Sequence, residues 1–124
     1  MGVPMESDQR MLVRSLWLAH REGRTDDLLA MLGHDVEWLP MSRPGRSLYE
    51  GHDGVRLMLE DAKRANGTYW VELDEMIEPA PDLVRATARV ITPNPTGPPN
   101  EVPIRLAIWI DGDLVVRVEA TLAD

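Results

Sequence analysis

The hydrophobic pattern of the chain changes at Gly67, and this change is the strongest constraint on the fold. Before Gly67, apolar residues recur at the spacing of an amphipathic helix in three segments. After Gly67, apolar and polar residues alternate in four segments, which is the period of a half-buried β-strand. Helices followed by strands predict an α+β fold, with the helices packed on one face of a curved sheet.

Three helices are predicted over residues 7–23, 25–33 and 53–67, each between a capping residue and a terminating glycine. Ser7 and Thr25 are expected to cap the first two helices, and Asp53 the third. A brief strand is predicted in "DVEWLP", which Pro40 stops, and the following "MSRPGRS" is expected to be a loop.

Four strands are predicted after the helices, and short links between them favour an antiparallel, meandering sheet. Their sequences are "TYWVELDEMI", "LVRATARVI", "VPIRLAIWI" and "LVVRVEATL". Because a chain of 124 residues buries one core, residues 1–124 are expected to form one domain.

The composition excludes several function classes. The chain has 21 acidic and 13 basic residues, and its formal charge of -8 argues against binding to nucleic acid or to an anionic membrane. It has no cysteine, which excludes disulfides, thiolate metal sites and cysteine nucleophiles. No signal-peptide core and no run of ~18 apolar residues is found, so a cytoplasmic location is expected.

The order of the elements resembles that of the nuclear-transport-factor-2-like superfamily, in particular its SnoaL-like polyketide-cyclase branch. The resemblance spans roughly Met11 to Leu122 and is carried by "GRTDDLLAMLGHDVEWLP", "LYEGHDGVRLML" and "WIDGDLVVRVEATL". It implies a cone-shaped NTF2-like fold, in which three N-terminal helices and a strongly curved, mostly antiparallel sheet enclose an apolar pocket. It also implies a cofactor-free protein that forms a homodimer through the outer sheet face.

Members of this superfamily include steroid isomerases, limonene-epoxide hydrolases, polyketide cyclases, dehydratases and proteins that only bind. In the steroid isomerase pattern, Leu16 stands at the position of the oxyanion-binding Tyr, and the base would fall at Trp38 or Leu39, which take no proton. In the epoxide hydrolase pattern only the acid of the last strand has a counterpart, Glu119. Neither set of catalytic residues is complete.

The position of Glu119 depends on the register of the last hairpin. A two-residue turn at Asp111 and Gly112 places Glu119 opposite Ile104 and inside the pocket, where burial would raise the pKa of its carboxyl. A loop of residues 110–112 instead places Glu119 outside with Arg105 and Arg117. The inner face then carries Ile104, Leu106, Ile108, Leu114, Val116, Val118 and Ala120. Both registers are open at this stage, and the second is chemically more consistent.

The resemblance and the helical spacing together nominate the site residues. His20 follows Leu16 by one helical turn, and the family position of Leu16 faces the pocket. We therefore expect His20, Glu119 and Tyr49 to handle protons. The expected walls of the pocket are Leu16, Trp17, Trp38, Met58 and Trp70.

Two further features concern partners and metals. Arg105, Trp109 and Arg117 share the predicted outer sheet face, and arginine and tryptophan are typical of interfaces, so this face is the expected homodimer surface. The tripeptide Gly-His-Asp occurs twice, at 33–35 and 51–53, but a metal site needs three or more converging ligands. We expect both tripeptides to end or begin helices and to bind no metal.

The sequence thus predicts acid/base chemistry, namely cyclisation, isomerisation, dehydration or epoxide opening, on a small, mostly apolar organic molecule. The alternative is a ligand-binding or dimerisation module of the same fold that has no catalytic activity.

Overall fold

The computed structural model describes residues 7–40 and 48–123, so the loop predicted at 41–47 lies outside the described residues. It confirms the α+β class. The elements are α1 (Asp8–Arg21), α2 (Thr25–Ala30), β1 (Leu32–Leu39), β2 (Tyr49–Glu50), α3 (Gly51–Asn66), β3 (Trp70–Ala80), β4 (Leu83–Thr92), β5 (Asn100–Asp111) and β6 (Leu114–Leu122).

Capping residues differ in how well the sequence predicts them. Ser7 caps α1 as expected, because its Oγ accepts a hydrogen bond from the Arg10 N–H at 3.1 Å. Thr25 does not cap α2: it is the first helical residue, and Arg24 occupies the N-cap position without a side-chain hydrogen bond.

The first Gly-His-Asp tripeptide does not have its predicted role, whereas the second begins a helix as predicted, but at Gly51 instead of Asp53. Gly33 does not end α2, which stops at Ala30. It lies buried in β1, where an added Cβ would come within 3.3 Å of Val116 Cγ1. Asp53 does not cap α3, because the helix already begins at Gly51, whose φ of +70° favours glycine. Each tripeptide therefore lies inside or at the start of a regular element.

The sheet has six strands in the order β2-β1-β6-β5-β4-β3. The four predicted strands form its antiparallel part, β3 to β6. The pairing of β1 with β6 is parallel. It escaped prediction because parallel neighbours are joined by a long crossover and leave no local turn signal. The sheet is therefore mostly antiparallel, with the first long strand beside the last.

The last hairpin adopts neither predicted loop. Asp111 pairs with Leu114 across a turn of Gly112 and Asp113, and Gly112 has the positive φ, +64°, that such a turn requires. One residue of β6 is then left over, because Ile110 pairs with Val115 but Trp109 pairs with Arg117. This β-bulge turns Val115 into the core, where it is fully buried, whereas Leu114 and Val116 do not join the inner face as predicted.

The core lies between the helices and one face of the sheet. The helices contribute residues such as Val13, Leu16 and Val55. The sheet contributes alternate residues of β4, β5 and β6: Val84, Ala86, Ala88, Ile104, Leu106, Ile108, Ile110, Val115 and Val118. The residues between them, including Arg85, Thr87 and Arg105, are exposed on the outer face. Within the described residues, no helix is long and apolar enough to cross a membrane.

Candidate functional site

A cavity lies between helices α1 and α3 and the inner face of the sheet. The centre of a water-sized sphere can occupy about 100 Å³ of this cavity. That is several times the volume that one bound water needs by the same measure. Apolar side chains dominate its lining, and the polar ones are few. The lining residues are Trp17, His20, Trp38, Pro40, Tyr49, Met58, Ala62, Asn66, Tyr69, Val71, Val90, Ile104, Leu106 and Ala120.

Two tryptophans and a methionine form the wall nearest the helices. The rings of Trp17 and Trp38 lie 5.7 Å apart at an interplanar angle of 36°, which offers a ligand two aromatic surfaces. Met58 reaches the same space from α3. Trp17, Trp38 and Met58 are thus placed at the cavity, where the sequence predicted them. Polarizable, apolar surfaces of this kind suit a flat organic molecule.

His20 lies in the last turn of α1 and joins Tyr69 at the cavity wall. The His20 Nε2 atom is 3.3 Å from the Tyr69 hydroxyl, and the two rings are 5.5 Å apart. The His20 Nδ1 atom is buried and has no hydrogen-bond partner among the described residues. Burial lowers the pKa of His20 below its ordinary value of 6.5, because the protonated ring would lose its hydration. At neutral pH the imidazole is therefore uncharged and able to accept a proton.

A second polar pair touches the cavity through Tyr49. Tyr49 is 6% exposed and lies opposite Trp38 in the β1–β2 pair, so its ring is part of the wall. Its hydroxyl donates a hydrogen bond to Asp61 Oδ2 at 2.8 Å, and Asp61 Oδ1 lies 3.7 Å from Arg64 Nη1. This contact holds the Tyr49 hydroxyl toward α3.

Three of the predicted site residues, Leu16, Trp70 and Glu119, do not line the cavity. Leu16 is fully buried in the core and packs the helix against the sheet. Trp70 points to the other face of β3, where its Nε1 donates to Glu72 at 3.1 Å and its ring lies 5.4 Å from the Arg21 guanidinium. These two predictions of pocket walls are wrong, because helix packing takes Leu16 and strand alternation turns Trp70 outward.

Glu119 lies on the outer face of the sheet. It pairs with Ala107 across the β5–β6 ladder, and its carboxylate is 3.8 Å from the Arg117 guanidinium. The register that places Glu119 in the pocket is therefore wrong. The bulge at Val116 fixes the faces of β6, and an apolar side chain occupies every inner position beside it.

The sequence contained signals for two lining residues that we did not predict. Asn66 follows Met58 and Ala62 at intervals of four, so the helical face that carries Met58 ends on an amide. Tyr69 alternates with Val71 around Trp70, so the pattern that turns Val71 inward also turns Tyr69 inward. Because adjacent strand residues face opposite sides, a prediction that places Trp70 in the pocket excludes Tyr69 from it.

The outer face of the sheet carries dense charge pairs. Arg89 binds the carboxylates of Glu72, Asp74 and Glu101. Its hydrogen bonds to Asp74 and Glu101 raise the pKa of its guanidinium above the ordinary value. Arg117 Nη1 donates to Glu37 Oε1 at 3.0 Å, and the Arg117 Cζ atom lies 5.5 Å from the centroid of the Trp109 ring. Arg105, Trp109 and Arg117 are on the outer face, as predicted.

The two Gly-His-Asp tripeptides meet in space, with the His34 and His52 rings 6.4 Å apart. His52 Nε2 is 3.0 Å from the Leu32 carbonyl oxygen, which engages one of its nitrogens. Over residues 7–40 and 48–123, no three histidine or carboxylate side chains are placed to hold a metal ion. The tripeptides therefore supply no metal centre within these residues.

Comparisons with known proteins place the fold. No protein-family model matches the chain, and no curated protein sequence matches it. Solved structures do match. The chain is similar to TerC co-crystallised with polyporic acid, with a TM-score of 0.82 and 16% identity over 94% of this chain and 92% of that one. It is also similar to an NTF2-like protein of unknown function from Burkholderia pseudomallei (TM-score 0.78, 17% identity, 95% and 92% covered).

A third similar structure is a Mycobacterium tuberculosis protein in complex with estradiol-17β-hemisuccinate. Its TM-score is 0.75 and its identity 18%, over 93% of each chain. Structural similarity at such low sequence identity shows the fold alone, so the chemistry must be argued from the residues of the site. The resemblance read from the order of elements is thereby confirmed for the fold: the chain has the cone-shaped, nuclear-transport-factor-2-like fold.

Proposed function

We propose that this protein binds a small, mostly apolar organic molecule in the cone cavity and catalyses an acid/base reaction on it, with His20 transferring the proton. The reactions considered are cyclisation, isomerisation, dehydration and epoxide opening, none of which changes the oxidation state overall. Two similar proteins were crystallised with small organic ligands, polyporic acid and estradiol-17β-hemisuccinate, which supports binding of such a molecule in this fold.

The observation that carries the proposal is the position of His20, which lines the cavity beside Tyr69 and has a buried Nδ1 atom. An uncharged imidazole at the wall of an apolar cavity is a competent general base, and it becomes a general acid once protonated. The Tyr69 hydroxyl donates to Nε2 or accepts from it according to which ring nitrogen carries the proton. The pair is therefore able to move a proton in either direction, and Asn66 offers an amide to orient a ligand oxygen.

A second candidate function is ligand binding without turnover. One observation favours it: no carboxylate is among the described residues that line the cavity, so His20 lacks an acidic partner there. Catalytic histidines are commonly oriented by such a partner. Tyr49, the other predicted proton-handling residue that lines the cavity, already donates its hydroxyl hydrogen to Asp61. In this candidate function its ring would only form part of the cavity wall.

We also propose that the outer face around Arg105, Trp109 and Arg117 binds a second copy of the chain. Trp109 is half-buried beneath Arg117, and aromatic and arginine side chains are enriched in protein interfaces. Trp109→Glu is expected to shift a dimer to monomer in sedimentation velocity, whereas Ala65→Glu, at an exposed position of α3 away from the outer sheet face, tests whether any added charge does the same. A monomeric wild-type protein would contradict this proposal. The cytoplasmic location and the single-domain organisation stay predictions.

The proposed reaction is tested first by binding and then by turnover. A panel of apolar lactones, epoxides and polyketide-like ketones is screened for thermal shift, since a ligand at 100 times its dissociation constant adds about 2.7 kcal/mol of stability. Hits are then assayed for conversion with wild type, His20→Gln and Tyr69→Phe, and with His34→Gln as the matched control at an exposed histidine.

If His20 transfers the proton, His20→Gln lowers kcat about 10²- to 10⁴-fold, with hit binding changed only a few-fold. Tyr69→Phe has a smaller effect on kcat, and His34→Gln has none. Hits that bind but are not converted by wild type would support the second candidate function. Unchanged turnover in His20→Gln would refute the role of His20.

A further inference from the structure

A second cleft adjoins the cone cavity, and we call it the Lys63 cleft. Its lining residues are Ala19, His20, Gly23, Thr25, Leu28, Leu59, Lys63, Gly67, Thr68 and Tyr69. Two of these residues, His20 and Tyr69, also line the cone cavity, so the two spaces meet at that pair. The cleft opens to solvent, since Gly23, Lys63, Gly67 and Thr68 are all exposed.

Charge distinguishes the Lys63 cleft from most of the molecular surface. The chain has 21 acidic residues against 13 basic ones, yet no aspartate or glutamate is among the residues that line this cleft. Lys63 is the single lysine of the chain. Its ammonium group has no ion-pair partner among the described residues. The same holds for Arg85 and Arg105 on the outer sheet face, whereas most other described arginines are ion-paired: Arg10, Arg21, Arg24, Arg56, Arg64, Arg89 and Arg117.

Two helix C-termini lie beside the cleft, and their dipoles weakly disfavour the binding of an anion. Helices α1 and α3 both end there, and a helix C-terminus carries roughly half a negative charge. Backbone N–H groups already engage carbonyls at both ends: Gly23 N–H donates to His20 O, Arg24 N–H to Ala19 O and Gly67 N–H to Lys63 O. Lys63 carries a full positive charge, and the hydroxyls of Thr25 and Thr68 are further hydrogen-bond donors. We therefore expect the electrostatic potential of the cleft to favour an anion.

We propose that the Lys63 cleft is an anion subsite of the cone cavity, so that the ligand is amphipathic. Its apolar ring system occupies the space between Trp17 and Trp38, and a carboxylate, sulfonate or sulfate group at its other end lies against Lys63. The ligand passes between the two spaces over the His20–Tyr69 pair, which places its central atoms next to the proton-transferring imidazole. This subsite rests on the proposed function, because it requires the apolar part to bind in the cone cavity.

The test uses two fluorescent probes that share an aromatic body and differ in charge. These are 1-anilinonaphthalene-8-sulfonate, which is anionic, and N-phenyl-1-naphthylamine, which is neutral. Their dissociation constants are measured by fluorescence titration for wild type, Lys63→Gln and Lys63→Arg. Arg56→Gln is the matched control, since Arg56 is an exposed cation two turns earlier on α3 and lines neither space.

We expect Lys63→Gln to weaken binding of the sulfonate probe about three- to five-fold, the range of a partly exposed ion pair, and to leave the neutral probe unchanged. Lys63→Arg is expected to retain the affinity, and Arg56→Gln to change it less than about 1.5-fold. The preference for the sulfonate probe should also shrink at high salt, because exposed charges are screened.

Three results would overturn the subsite in distinguishable ways. Equal weakening by Lys63→Gln and Arg56→Gln would mean that the sulfonate probe senses only net charge. No weakening by either would mean that Lys63 does not bind the sulfonate. In both cases binding of the neutral probe stays intact. Failure of the neutral probe to bind, or its indifference to Trp17→Ala, would mean that the cone cavity is not the apolar site. This third result refutes the proposed function as well.

Discussion

The two faces of the sheet use polar side chains in opposite ways. On the outer face, Arg89 and Arg117 each engage carboxylates in exposed or half-exposed ion pairs. On the inner face, the His20–Tyr69 pair sits in apolar surroundings, and the buried Nδ1 of His20 has no partner among the described residues. The outer groups are paired and screened by water, whereas the inner pair includes one buried nitrogen, His20 Nδ1, that no described residue satisfies.

This difference indicates where chemistry is available. An ion pair in water contributes little to stability, and its pKa values favour the charged forms, so it has no proton to exchange near neutral pH. A buried imidazole with an unpartnered nitrogen keeps its neutral form, because burial removes the hydration that would stabilise the protonated form. The contrast can be tested on both faces and in the core that separates them.

The largest expected effect lies in the core beneath the cavity. Leu16→Ala should lower the free energy of unfolding by about 2–5 kcal/mol, because Leu16 is fully buried and its removal leaves a void. Leu18→Ala, on the exposed side of the same helix, should change it by less than about 0.5 kcal/mol. Urea denaturation measures both. A small loss in Leu16→Ala would mean that the site collapses readily and that Leu16 is not a core anchor.

A smaller effect is expected from pH, through His20. Because burial lowers its folded-state pKa below 6.5, the unfolded chain binds more protons than the folded one once the pH falls below that value. Stability from this residue is thus full above about pH 6.5 and is lost as the pH falls toward the folded-state pKa. The slope for one proton cannot exceed about 1.4 kcal/mol per pH unit.

His20→Gln should remove that slope, which is measured as the difference between wild-type and variant unfolding free energies at several pH values. His34→Gln, at an exposed histidine, serves as the control. Parallel curves for wild type and His20→Gln would show that His20 titrates as it does in the unfolded chain, and the contrast between the faces would then fail at its inner side.

The smallest effect is expected on the outer face. Glu37→Gln removes the partner of Arg117 at 3.0 Å, and because both side chains are more than a third exposed, the loss should be about 0.2–1 kcal/mol. This loss should disappear at high salt. Glu60→Gln, at an exposed carboxylate of α3 with no ion pair among the described residues, is the control for charge alone. A loss of several kcal/mol would place the outer network among the main determinants of the fold.

The sequence predicted the fold better than the site, and particular residues show why. The helical and alternating periods depend on nearest neighbours along the chain, so α1, α3 and the strands β3 to β6 were all found. The parallel β1–β6 pair depends on residues about eighty positions apart, such as Glu37 and Arg117, and no local pattern announces it.

Predictions of site residues were wrong where a shift of one position along a strand turns a side chain to the opposite face of the sheet. The bulge at Val116 is a backbone choice that hydrophobic alternation does not encode, and it decides where Glu119 points. The alternation of Tyr69, Trp70 and Val71 allows either Trp70 or its two neighbours to face the pocket, and the structure turns Tyr69 and Val71 inward. Leu16 was placed at the pocket by resemblance, and packing against the sheet places it in the core instead.

The parallel pair of β1 with β6 also bears on how the chain folds during its synthesis. Central strand β6 is the last element of the chain, and β1, near its start, has no long neighbour until β6 arrives. Contacts this distant along the chain slow folding, because the loop between them must close first. On the ribosome, the helices and the β3–β5 meander are able to form early, but the cone stays open until Leu122 has left the exit tunnel. We therefore expect the nascent chain to form its cone cavity only after β6 has emerged and paired with β1.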